Sequence, residues 1–402
     1  MFMSTTAAES PFVFDGYVRP DGRVGVRNHL ALVSTVALAN RVAELAASRF
    51  DLERPPGSDP VLRVSGDFQR GLQTPDAMVQ DQIIEQLIGH PNVGAAVVLC
   101  HDRRAAQSWN RRLSQLGRPV EVLALMESNG VERAIDRTVH ALKALARTLQ
   151  DAFRTPCPLS SLSIALECGG SDASSAVCAN PAIGRFVDRA VVAGATVIVS
   201  ETAEFIGAED VVRAQSMHPD IAQAIIDRIA QVEARMSGDG DHYRGVNPTA
   251  ENIEAGLTTL VEKTMGAVCK IGSARFAGCL AFGERPDRPG LHFMDTPFFS
   301  PCSITGMLAA GAQLTLFAMG VFNPSGNPLA PTVKICGNPD TLKHWADGID
   351  VGLAELIDGR IGLDQAGDRI AEAVRAVACG APTHTERWGE GQFIIPRMLP
   401  SF

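Results

Sequence analysis

The chain has 402 residues, enough for two domains, and is 46% hydrophobic with 20% charged residues, a composition that buries a large core. Its formal net charge of -9, with no Lys/Arg cluster interleaved with aromatics, argues against a nucleic-acid partner. No apolar run reaches the ~18 residues of a membrane span. No basic, apolar leader opens the sequence. The nine cysteines, an odd number without a CxxC pair, point to reduced thiols and a cytoplasmic setting.

In chain order, residues 1–14 read as a flexible tail. Residues 29–50 read as a strand running into an amphipathic helix, 59–67 as a short strand, 75–90 as a helix and 92–100 as a continuous apolar strand. A helix over 108–117, a strand over 119–125 and a long amphipathic helix over 130–153 follow. This alternation predicts a parallel sheet wound on both faces. The segment 154–161, with two prolines, is the best linker. Beyond it come a strand ending at Glu167 and Cys168, a helix in which Pro181 suits the first turn, and a strand over 195–201. Helices are expected at 207–216, 218–236 and 257–268. Strands are expected at 291–295, 313–319 and 330–336, with a final helix over 368–380. The polar segment 237–252 is long enough to be a lid or binding loop. The expected architecture is α/β, with two Rossmann-like parallel-sheet halves carrying helices on both faces. The expected domains are 15–155 and 156–402, the second carrying most of the site.

Ligands of open α/β sheets collect beyond the carboxyl ends of strands. Those positions hold Cys168, Gly169, Gly170, Ser171 and Asp172, then Glu201 and Glu204, then Asp295 and Thr296, with Lys334 inside an apolar run and Cys100 and His101 after 92–99. Gly169 and Gly170 allow a tight turn whose N–H groups suit an anion; the plain alternative is a strand-to-helix turn capped by Asp172. Cys168 admits three readings: core thiol, soft-metal ligand, or nucleophile, the last without a nearby His to activate it. His101, with Cys100, is a candidate for metal or acid–base work, against an ordinary surface histidine. Lys334 is either a proton-abstracting base or a snorkelling lysine. Arg27 and Asn28 lie in an Arg- and Gly-rich loop that either clamps a carboxylate or forms a solvated hairpin.

Seven segments together, 16–36, 90–99, 166–188, 197–212, 255–272, 291–320 and 328–338, resemble the altronate/galactarate dehydratase family. The likeness is to its separate large-subunit form, which includes the sulfolactate sulfo-lyase large subunit and lacks the N-terminal small β domain. The resemblance implies a lyase acting on a small hydroxylated carboxylic acid. The α-proton is abstracted, the β-substituent leaves, and a 2-keto acid forms. It also implies a divalent metal, Fe(II) first, with Mg or Mn as alternatives, and a separate small β-domain subunit; the apolar helices point to a homo-oligomer. On this reading Lys334, Asp295, Glu201 and Asp172 are catalytic candidates. Arg27, Asn28, Gly169, Gly170, Ser171, Glu204 and Thr296 bind substrate, and Cys168, His101 and Cys100 hold the metal.

The sequence departs from the family pattern. The Thr-His-Gly and Cys expected near 62–71 are missing, His101 replaces a Glu, Ile253 replaces a Lys, and Val321 or Phe322 replaces an Arg. These changes keep two other readings open: a divergent paralogue that binds a carboxylate without turnover, and an isomerase on the same scaffold.

Overall fold

The computed structural model of the chain describes residues 12–54, 59–236 and 247–401. Strands β1 (Val13–Val18) and β2 (Val24–Gly25) open it, so the expected tail falls mainly outside the described residues and ends in a strand. β3 (His29–Ser34), β4 (Leu62–Val64), β5 (Val93–Cys100) and β6 (Val120–Ala124) form a parallel sheet in the order β4-β3-β5-β6. β5 is buried at every position, as a strand covered on both faces must be.

β7 (Thr155–Pro158) occupies the expected linker. It pairs antiparallel with β1, which also pairs with β2. The prolines are tolerated because β7 lies at the sheet edge. The second half contains β8 (Ser163–Cys168), β9 (Thr196–Val199), β10 (Phe276–Leu280), β11 (Gly290–Met294), β12 (Leu314–Met319), β13 (Thr332–Cys336) and β14 (Val351–Gly352). They form one parallel sheet in the order β10-β11-β9-β8-β12-β13-β14. The chain winds outward from β8 through β9, then returns to β8's other side at β12. The gap beyond the ends of β8 and β12 is therefore the topological switch point.

Side-chain alternation divides this sheet's two faces. Ile164, Leu166 and Cys168 face the helices Asn180–Val192 and Leu363–Ala378, while Ala165 and Phe317 face a core shared with the first half. Helices Thr74–Ile88 and Ser300–Ala309 meet in that shared core. The helix after Cys168 begins before Pro181 and accommodates it through a π-helical turn, Ser175–Ala179. Proline has no N–H to give a regular turn, and the wider turn absorbs the defect. The sequence pattern did not reveal β10, the helix Ser300–Ala309, or the helix His384–Trp388 that follows Leu363–Ala378.

Arg27 does not reach a ligand cleft. Its guanidinium makes a two-pronged pair with Glu386 at 2.7 and 2.8 Å and donates to the carbonyls of Val26, Val377 and Ala381. Burial works to raise the Glu386 carboxyl, and Arg27 overrides it and holds the group below its ordinary value. Asn28 is likewise structural: its Oδ1 accepts from Arg19 at 2.8 Å. Arg27→Ala leaves Glu386 buried with its charge uncompensated. It should cost about 3–5 kcal/mol of stability, read as a lowered thermal unfolding midpoint near pH 7. A midpoint unchanged within a degree would contradict this role.

Candidate active site

A cleft of about 400 Å³ lies at the switch point. Cys168 through Ser171 at the end of β8 line one side, and Val321 through Pro324 beyond β12 line the other. Glu201 and Lys263 line its floor. The glycine turn makes this closeness possible. Gly169 N–H donates to Ala318 O, and Gly170 O accepts from the N–H groups of both Gly320 and Val321. Gly170 has φ +70°, and a Cβ there would lie 2.1 Å from Val321 O. The turn is shaped first to hold the β12 loop, and the Gly169 amide expected to face an anion is already bonded within the protein.

Glu201 follows β9 in the left-handed region at φ 64°, which is uncommon for a non-glycine residue and a marker of functional strain. Its N–H donates to Thr296 Oγ1 at 2.8 Å, and Thr296 N–H donates to Thr202 Oγ1 at 3.2 Å. Thr202 in turn donates to Asp295 Oδ1 at 2.7 Å. Thr296 and Asp295 thus position Glu201. Asp295 does not line the cleft, and its other neighbour is Arg228 at 3.7 Å.

Three buried carboxyls, Glu167, Glu201 and Glu204, and two buried ammoniums, Lys263 and Lys270, influence one another electrostatically at and below the cleft floor. Glu204 Oε2 accepts from Lys270 at 2.5 Å, and its Oε1 lies 3.6 Å from Lys263. Glu167 accepts from Ser303 at 2.9 Å and Ser200 at 3.3 Å. Burial, then the Glu204 charge, raises the Glu167 carboxyl to about 7. Burial raises Glu201 well above its ordinary 4.5, with Glu167 and Glu204 adding to the effect. Burial opposes the Lys270 charge, but Glu204 outweighs it and the ammonium is raised. Glu201 Oε2 and Glu167 Oε1 are buried with no hydrogen-bond partner among the described residues. Three carboxyls face two ammoniums here, and burial with mutual repulsion favours the protonated form of Glu167 and Glu201.

The remaining candidates divide. Ser171 lines the cleft, with its Oγ 3.4 Å from Cys168 Sγ. Burial, then Glu204, raises the Cys168 thiol, so it is a neutral wall residue and not an activated nucleophile. Asp172 acts as the helix cap: it accepts from Ser175 N–H at 2.8 Å and from Asn338 at 2.7 Å, close against Gly320. Lys334 does not point into the cleft. Its Nζ donates to the carbonyls of Asn323 and Ser325 and sits 3.8 Å from the Phe317 ring centre, pinning the loop whose Asn323 and Pro324 form the cleft wall. Burial lowers it to about 7.

The expected metal ligands do not converge. Cys100 is sealed in the core at the end of β5, and burial raises its thiol to about 11. His101 is the next residue, and neither lines the cleft with Cys168. Among the described residues no three His, Cys, Asp or Glu side chains form a group that could hold a metal ion. The described residues do not bring Cys100, His101 and Cys168 together as ligands of one divalent metal.

The sequence reading passed over Glu167, Lys263 and Lys270. Lys263 lies in the helix Leu260–Val268 and Lys270 in the turn Cys269–Ile271 that follows it, so one helical period does not relate them. Of the expected lid, 237–246 lies outside the described residues. Thr249 caps the short helix Ala250–Glu254, and Asn252 donates to Ser171 O at 3.0 Å. No helix among the described residues is long and apolar enough to cross a membrane.

Comparison with known proteins finds relatives over nearly the whole chain. Residues 159–401 match the C-terminal model of D-galactarate/altronate dehydratase, and residues 16–150 match the second-domain model of D-galactarate dehydratase/altronate hydrolase. The chain is 32% identical over 400 residues to the (2R)-sulfolactate sulfo-lyase subunit beta of Chromohalobacter salexigens, covering 96% of this chain and 98% of that one. It is 30% identical over 345 residues to the altronate dehydratase of Bacillus subtilis, covering 83% and 68%. It is 29% identical over 380 residues to that of Escherichia coli, covering 92% and 75%. These relatives are lyases, and the chain belongs to the D-galactarate/altronate dehydratase family.

Proposed function

We propose that the protein is a lyase that eliminates a β-substituent from a small hydroxylated carboxylic acid to give a 2-keto acid. The observation that carries this reading is the placement of Glu201 and Lys263 together on the cleft floor, where burial and two neighbouring carboxyls favour the protonated form of Glu201. A neutral Glu201 admits an anionic substrate next to Glu204 and Glu167. Lys263, 3.0 Å from Asn247 Oδ1, supplies a cation for the substrate carboxylate and for the charge that builds there.

Glu201 first releases its own proton to solvent; once ionised it is a stronger base than an ordinary carboxylate, because the same surroundings that raise it favour its taking a proton. It removes the α-proton, and the C–H electron pair becomes the C=C bond. The β-substituent leaves with its own electron pair and, when it is a hydroxyl, takes the proton from Glu201 and departs as water. The enol then tautomerises to the 2-keto acid.

The test is 2-keto acid formation by the full chain from a panel of 2,3-dihydroxy and 3-substituted 2-hydroxy acids. Product from at least one acid is the expected result, and no product from any would overturn the reading. Glu167→Gln removes a negative neighbour of Glu201. Activity that rises with pH should then begin its rise at lower pH than in the parent, and coincident pH profiles would show that the two carboxyls are not coupled.

A further inference from the structure

The floor and rim of the cleft differ in kind. The floor carries Glu201, Lys263 and Ser171, whereas Phe298, Phe299, Val321, Phe322 and Pro324 dominate the rim. Some of the polar groups on this side of the cleft are already engaged within the protein. Asn323 Oδ1 accepts from Ser325 N–H at 2.9 Å. Asn252 donates to Ser171 O and accepts from Thr249 N–H at 3.1 Å, while Thr249 Oγ1 accepts from Asn252 N–H. Glu251, exposed at the edge, is the remaining charged rim group among the described residues.

Phe322 is also fixed in place. Trp345 stacks on it with ring centres 4.4 Å apart and planes at 1°, and Trp388 meets it edge-on at 6.1 Å. Gly348 lets these rings close up, since a Cβ there would lie 2.5 Å from Phe322 and 2.9 Å from Trp388. A ring held on two sides and open to the cleft is a rigid apolar wall that loses little entropy on binding a flat partner.

We propose that the acid taken by this cleft carries an apolar, flat or branched tail beyond its reacting carbons. The carboxylate lies toward Lys263 and the tail lies along Phe322. A polyhydroxylated chain would bring hydroxyls against this wall, where they lose water and find few free partners among the described residues. A phenyl or branched alkyl tail has no such requirement. The proposal deepens the lyase reading and rests on it for the placement of the carboxylate.

Binding to the full chain by calorimetry, with 3-phenyllactate, lactate and galactarate as probes, tests it without requiring turnover. Phenyllactate should bind at least about tenfold tighter than lactate, and galactarate no tighter than lactate. Phe322→Ala should narrow the phenyllactate-to-lactate ratio below threefold, and Phe322→Leu, which keeps an apolar wall, should fall between it and the parent. Equal affinities, tighter binding of galactarate, absence of phenyllactate binding, or a ratio unchanged in a folded Phe322→Ala would each overturn the proposal. A phenyllactate preference without 2-keto acid from any hydroxy acid would instead leave the tail assignment standing and remove the lyase reading.

Discussion

Glu201→Gln is expected to reduce 2-keto acid formation by roughly 10²–10⁴-fold, the usual contribution of a positioned acid–base group. The same substitution should make the protein more stable, increasingly so as pH rises. Burial and two neighbouring carboxyls raise the folded-state Glu201 above its ordinary 4.5. Above that pH the folded chain therefore holds a proton that the unfolded chain has released, and stability falls as pH increases. A single proton gives a slope of at most about 1.4 kcal/mol per pH unit. Glutamine keeps the shape and has no proton to lose. The melting temperature of the variant should exceed that of the parent by a margin that widens as pH rises above 5 and levels off once Glu201 ionises in the folded chain. Parent-like activity, or a margin independent of pH, would remove Glu201 from the role assigned to it.

Gly170→Ala should have the second-largest effect. The substitution places a side chain at φ +70° and puts its Cβ 2.1 Å from Val321 O. The strained backbone and the collision together should cost about 2–5 kcal/mol. The collision pushes the Val321–Pro324 loop away from β8, so substrate affinity should fall even where the variant remains folded. Gly359 provides the control, because it shares φ +70° but a Cβ there meets nothing within 4 Å. Gly359→Ala should show only the backbone part, about 1–3 kcal/mol, with kinetics like the parent. Equal losses of stability and activity in both variants would mean that the contact between the two loops does not shape the cleft.

Much of this arrangement was legible in the sequence because parallel strands buried on both faces leave long apolar runs, as at 92–100 and 162–168. The ends of those runs pointed to Cys168–Ser171 and Glu201, which the structure places in the cleft. Other residues misled for physical reasons. Arg27 looks like a carboxylate clamp and is one, but its carboxylate is Glu386, 359 residues away. Lys334 reads as a buried base, whereas its amine is turned beneath the loop to hold two carbonyls. Lys263 and Lys270 carry no local signal in the sequence that sets them apart from other lysines. Only the fold shows that they meet Glu204. Strand β10 is five residues, Phe-Ala-Gly-Cys-Leu, too short and too interrupted by glycine to stand out.

Burial and the neighbouring carboxyls favour a protonated Glu201, and its vibrational spectrum tests this most directly. An infrared difference spectrum of the parent minus Glu201→Gln, at pH 7 and without ligand, should show the carbonyl stretch of a protonated carboxylic acid in a dry environment. That band should shift in D₂O. It should also lose intensity as pH is raised, and the loss should move to lower pH when Glu167 is replaced by Gln. A difference spectrum containing only the paired bands of an ionised carboxylate at pH 7 would contradict the account.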